Sequence, residues 1–209
     1  MTAVAEPALM SPTLADACRR YDAARGRART LLEGLDDAAF HRVPSGGWSV
    51  AQCLEHLVIT GTKMGARLED ATTTARAAGR IASAEVARRP LEPDWFAKMF
   101  MAMTGPAKDG ARPGMRVAVR PVFDPGDPRG QGRGKDAVLA DFLAVQDRLE
   151  RTAHAADGLD LAGVKVSSLI ADWLRLPIGI WFVSLAGHQE RHLDQAARVR
   201  AAAATGGAR

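Results

Sequence analysis

Four stretches of this chain repeat their apolar residues at three- and four-residue spacing, and that period restricts the fold more than any other feature. A stripe of this period lies along one side of an α-helix; a strand would need alternation every second residue. The stretches cover about 13–34, 48–78, 136–156 and 177–203. Leu14, Ala17, Cys18, Tyr21, Ala28, Leu31 and Leu35 mark the first, and Val50, Leu54, Leu57, Met64 and Leu68 the second. Val138, Phe142, Val145, Leu149 and Thr152 mark the third. The fourth carries Ile178, Phe182, Leu185, Gln189, His192, Ala196 and Val199. Four helices, each with one apolar side, hide those sides together. The expected fold class is therefore all-α, a four-helix bundle, in a single domain over 1–209.

The second helix has the clearest start. In GGWSVAQCLEHL, Ser49 stands where a helix cap belongs and Gln52 three places later, a capping box. Trp48 before the cap is placed to pack on Cys53 as a hydrophobic staple. In the fourth helix, Pro177 suits the first turn.

Between the second and third helices lies a long crossover, an irregular insertion over 80–134 that holds Pro90, Pro93, Pro106, Pro113, Pro121, Pro125 and Pro128. A connection of this length inside a compact domain is usually functional or partly disordered. A short helical turn is expected over 93–103. MRVAVRPVF alternates like a strand, but Pro121 and the lack of a partner strand predict extended loop. GQGRGKD resembles a phosphate loop, yet Arg129 stands where the first glycine belongs and Asp136 replaces the hydroxyl residue after the lysine. It reads as a flexible loop, as does DDAAFHRVPSGG at 36–47.

Composition removes several function classes. No run approaches the roughly 18 apolar residues of a membrane helix. The first residues lack a basic segment followed by an apolar one, so no secretory signal is expected. Two cysteines, Cys18 and Cys53, predict no disulfide framework and a cytoplasmic setting. The net charge is +4, mostly through arginine, but the arginines are scattered and aromatic residues for base stacking are few, with one tyrosine and six phenylalanines. That pattern predicts a solvated surface rather than a nucleic-acid face. Trp181 and Val183, off the stripe of the fourth helix, allow a homodimer face.

Candidate chemistry concentrates in the histidines. His188 and His192 are one helical turn apart, the spacing at which two imidazoles can share a cation. Alone, the pair fits two hydrogen-bonded or partly exposed histidines better than a metal site. His56, in the second turn of the second helix, is the natural third ligand from a facing helix. Three neutral imidazoles with a free coordination position describe an open site for a divalent metal. Nitrogen ligands suit zinc or nickel first, then iron, copper or manganese. His41, in a loop, and His154, on the polar side of the third helix, read as surface residues.

The segments WSVAQCLEHL (48–57) and HQERHLDQAARV (188–199) together resemble the DinB-like superfamily, four-helix bundles with a three-histidine metal site. In that family one histidine follows a tryptophan-serine helix start on the second helix. The other two form an H-x-x-x-H on the last helix, often followed by a glutamine. His56, His188, His192 and Gln195 match those features. The resemblance implies a metal-dependent activity on a small-molecule substrate, either S-transfer from a low-molecular-weight thiol or hydrolysis. A non-catalytic metal- or ligand-binding bundle is the alternative.

Either reaction needs a proton acceptor, and none stands out. Glu55, Glu190 and Asp194 adjoin the histidines in sequence but point away from them by helical phase, which predicts exposed or supporting roles. Gln52 and Gln195 can hydrogen-bond near the site. Cys53 reads as a small buried hydrophobe rather than a thiolate. Met99, Met101 and Met103 either line a pocket or pack against the bundle.

Overall fold

The structure is a computed structural model and describes residues 10–43, 47–107, 123–126 and 133–206. Four long helices form the bundle: α1 (Pro12–Leu32), α3 (Val50–Ala77), α6 (Lys135–Ala156) and α7 (Ile178–Gly206). Among the described residues three short helices, α2 (Asp37–His41), α4 (Ala84–Ala87) and α5 (Trp95–Thr104), join them. α3 packs on α6 and α7, and α1 packs on the same two helices, so α1 and α3 stand at opposite corners.

The expected stripes are the buried ones. Leu14, Tyr21, Leu54, Leu68, Phe142, Leu149, Ile178 and Phe182 are fully enclosed. Buried apolar side chains of this size stabilise by about 1.5–3 kcal/mol each against exposure. The Tyr21 hydroxyl, sealed in the core, donates to the Phe182 carbonyl at 2.7 Å and ties α1 to α7. Gly61 lets α3 approach α6: a Cβ there would stand 2.5 Å from Val145 Cγ1. The capping box is formed, with Gln52 N–H donating to Ser49 Oγ at 3.1 Å and Ser49 N–H to Gln52 Oε1 at 3.0 Å.

Several expectations need correction. The segment 36–47 contains α2, capped by Asp36, whose carboxylate accepts from the Ala39 N–H; His41 is thus helical and half-buried. The fourth helix does not begin at Pro177. That residue ends a strand, β2 (Arg175–Pro177), which pairs antiparallel with β1 (Lys165–Ser167), Val166 opposite Leu176. Trp181 is 5% exposed and its indole N–H donates to the Val166 carbonyl at 2.9 Å. It locks the hairpin to α7 and is not free for a dimer face. The arginines are not all solvated either: Arg25 is buried against Asp147 and Glu150, and half-buried Arg20 bonds Glu190. Within the insertion, the turn foreseen at 93–103 is α5. Residues 115–122 of MRVAVRPVF and 130–132 of GQGRGKD lie outside the described residues.

The core has two apolar clusters. One contains Met64, Leu68, Phe182 and Ala186, the other Leu54, Leu57, Phe142 and Leu193. Along α3 and α7 the seam between them falls where the three histidines lie.

Candidate metal centre

His56 reaches the seam from α3, and His188 and His192 reach it from α7. One ring nitrogen from each lies within 4.8 Å of the other two. His56 Nε2 is 3.3 Å from His188 Nε2. A tetrahedral centre with metal–nitrogen bonds near 2.1 Å sets ligand nitrogens about 3.4 Å apart. Ring centroids are 4.7 Å apart for His56 and His192 and 4.6 Å for His188 and His192.

The surroundings hold the rings in a ligand-ready state. His56 Nδ1 donates to the Phe123 carbonyl at 2.8 Å, which leaves Nε2 with its lone pair facing the other rings. A second hydrogen bond of this kind is what orients and tautomerises ligating histidines. It comes from the proline-rich insertion, so that segment helps build the site. Trp48 covers the far side, with its ring centroid 4.9 Å from that of His56 and 5.7 Å from that of His192. It sits in the same apolar neighbourhood as Cys53, but its ring contacts are with the imidazoles.

All three imidazoles are kept neutral. Burial and then the neighbouring rings hold His192 well below its usual pKa, against a side-chain hydrogen bond with Gln195. Burial also lowers His56, and it pushes His188 down to about 3. His192 Nδ1 is buried with no hydrogen-bond partner. Neutral nitrogens with converging lone pairs repel unless a proton or a cation lies between them. The donor set and its spacing fit a divalent metal.

The histidines close one end of a cavity of about 210 Å³. Met64, Phe100, Phe123, Trp181 and Leu185 are among its apolar walls. Ser184 and Arg191 add polar groups; the Arg191 guanidinium donates to the Met103 carbonyl. A larger, open groove along Arg67, Arg80 and Lys165 lies away from the histidines and holds no comparable donor set.

The remaining candidates separate clearly. His154 is exposed, and His41 bonds the Arg133 carbonyl at 3.1 Å; neither joins the cluster. Glu190 pairs with Arg20 and Asp194 with Arg27, both arginines on α1. Glu55, expected at the surface or in support, is instead 4% exposed, and its desolvated carboxyl is raised above the usual range. It is not among the cavity-lining residues. Gln52 keeps its capping role and also donates to the Gly126 carbonyl at 2.8 Å. Cys53 is fully buried, its thiol pushed up to about 12, which agrees with an inert hydrophobe. Of the three methionines only Met103 lines the cavity. The stacking of Trp48, the Phe123 carbonyl and the pocket roles of Ser184 and Arg191 escaped the sequence; only the tryptophan-serine helix start pointed at one of them.

An all-α bundle with three neutral imidazoles at the end of an apolar cavity defines the class. The DinB superfamily model matches residues 20–196, and the chain belongs to that superfamily. No curated protein and no solved structure matches the chain. Among the described residues, no helix is long and apolar enough to cross a membrane.

Proposed function

We propose that the protein is a divalent-metal-dependent enzyme acting on a small molecule, of the low-molecular-weight-thiol S-transferase or hydrolase type. One observation carries the reading: three neutral ring nitrogens, within 4.8 Å of one another, close an apolar cavity. His56, His188 and His192 would hold the ion. A divalent cation bound by neutral ligands keeps its charge and lowers the pKa of a water or thiol that binds it. The Phe123 carbonyl holds His56 in the tautomer that presents Nε2. The apolar walls make the cavity less polar than water, which strengthens electrostatic contacts inside.

S-transfer is the first reading of the two. Among the described cavity-lining residues there is no carboxylate to act as base, and a thiol, with a free pKa of about 8.5 against about 15.7 for water, asks less of one when it binds the ion. The same lack of a base favours the non-catalytic metal- or ligand-binding bundle as the second reading. The two separate in one assay. Small thiols are offered with an electrophilic acceptor before and after chelation and metal return. Turnover that disappears and returns supports the enzyme; ligand binding without turnover supports the alternative, and turnover indifferent to chelation contradicts both.

A further inference from the structure

Hydroxyls inside these helices normally satisfy themselves. Thr60, Thr104 and Thr152 each donate to the carbonyl four residues earlier, at 2.7, 2.9 and 2.8 Å. Ser184 does not. It is 4% exposed, its Oγ has no hydrogen-bond partner, and it lines the cavity that ends at the histidines. An unpaired buried hydroxyl weakens the fold, and alanine would serve the helix better. Eight buried side-chain polar atoms among the described residues lack partners, and only Ser184 Oγ and His192 Nδ1 belong to residues lining this cavity.

Its position has a geometric meaning. Ser184, His188 and His192 follow at four-residue intervals on α7 and so form one row, with neighbouring Cβ atoms about 5–6 Å apart. A molecule that reaches the histidines with one end passes the Ser184 side chain about one helical turn away. The same cavity is lined by Met64, Phe100, Leu169, Trp181 and Leu185, all apolar. Arg191 is the one arginine or lysine among the described lining residues, and no aspartate or glutamate is among them. Such walls accept neutral or anionic groups and disfavour an ammonium. The cavity, about 210 Å³, is smaller than the roughly 300–1,000 Å³ of drug-sized ligand sites.

We infer that Ser184 is a specificity residue, whose hydroxyl pairs with an oxygen of a small, largely apolar, neutral or anionic substrate. This rests on the proposed metal site only for which end of the substrate reacts.

The test compares toluene, phenol and benzylamine (a cation at neutral pH) as probes of nearly equal size. Their binding is followed by NMR shifts of cavity residues, in wild-type protein and in Ser184→Ala, each with and without metal. The phenol-to-toluene affinity ratio is expected to be about five-fold higher in the wild type than in Ser184→Ala, as one net hydrogen bond implies. In Ser184→Ala benzylamine remains the weakest probe, metal content is unchanged, and the melting temperature is no lower. A phenol-to-toluene ratio that survives the substitution overturns the inference. So does benzylamine binding as tightly as phenol, or no binding by any probe. The ratio is read in metal-free protein as well, so failure of the metal assignment alters metal content and leaves the ratio, whereas failure of this inference does the reverse.

Discussion

Replacing Gly61 by alanine tests whether α3 and α6 pack as closely as described. The new Cβ would stand 2.5 Å from Val145 Cγ1, where carbon atoms in good contact are about 3.5–4.0 Å apart. Val145 cannot easily turn away: it is buried, and valine in a helix has essentially one χ1 rotamer. Overpacking of this kind costs about 1–3 kcal/mol. Alanine returns about 1 kcal/mol through helix propensity, so the net loss for Gly61→Ala is about 1 kcal/mol. Val145→Ala alone removes two methyl groups and costs about 2 kcal/mol. In that background the clash is gone, so Gly61→Ala should stabilise by about 1 kcal/mol. Urea unfolding of the four proteins completes the cycle, with a coupling of about 2 kcal/mol. The sign of the Gly61→Ala effect must therefore reverse between backgrounds. The same sign in both would refute the close approach, and with it the placement of the helix that carries His56.

Two further outcomes follow from buried titratable groups. Because burial holds the three imidazoles below their usual pKa of 6.5, the unfolded chain takes up protons first as pH falls. Metal-free protein should lose stability from about pH 6.5 downwards, by about 1.4 kcal/mol per pH unit for each imidazole, until the folded groups also titrate. Wild type minus His188→Ala isolates one such share from Glu55, whose raised carboxyl acts in the opposite direction; a difference that does not change with pH would contradict it. The thiols of Cys18 and Cys53 are pushed up to about 11 and about 12, so an aromatic disulfide reagent at pH 8 should find no fast thiol in the native protein and two after denaturation. One fast native equivalent would show that a cysteine is accessible and ionised.

The bundle was legible because helical periodicity, Ser49 and Gln52 all speak for local structure, and each long helix has one enclosed stripe. His56, His188 and His192 were legible for the same reason: i and i+4 on one helix and a single histidine early in another can only meet across the core. Phase failed where a helix has no outer side. Every residue from Val50 to Leu57 is buried, so Glu55 lies inside despite its off-stripe position. The hairpin was invisible because three-residue strands show no alternation, and it is Trp181 that fastens one of them. Trp48 on the imidazoles and the Phe123 carbonyl on His56 are contacts between distant parts of the chain, which no local pattern encodes.

The central claim is that the three imidazoles share a divalent ion. Elemental analysis of purified, metal-reconstituted protein by plasma mass spectrometry measures this directly, beside His56→Ala, His188→Ala and His192→Ala, with His41→Ala as control. One ion per chain is expected in the wild type and the control, with a clear fall in each of the other three. Equal metal content in all five proteins, or none in any, would contradict the account.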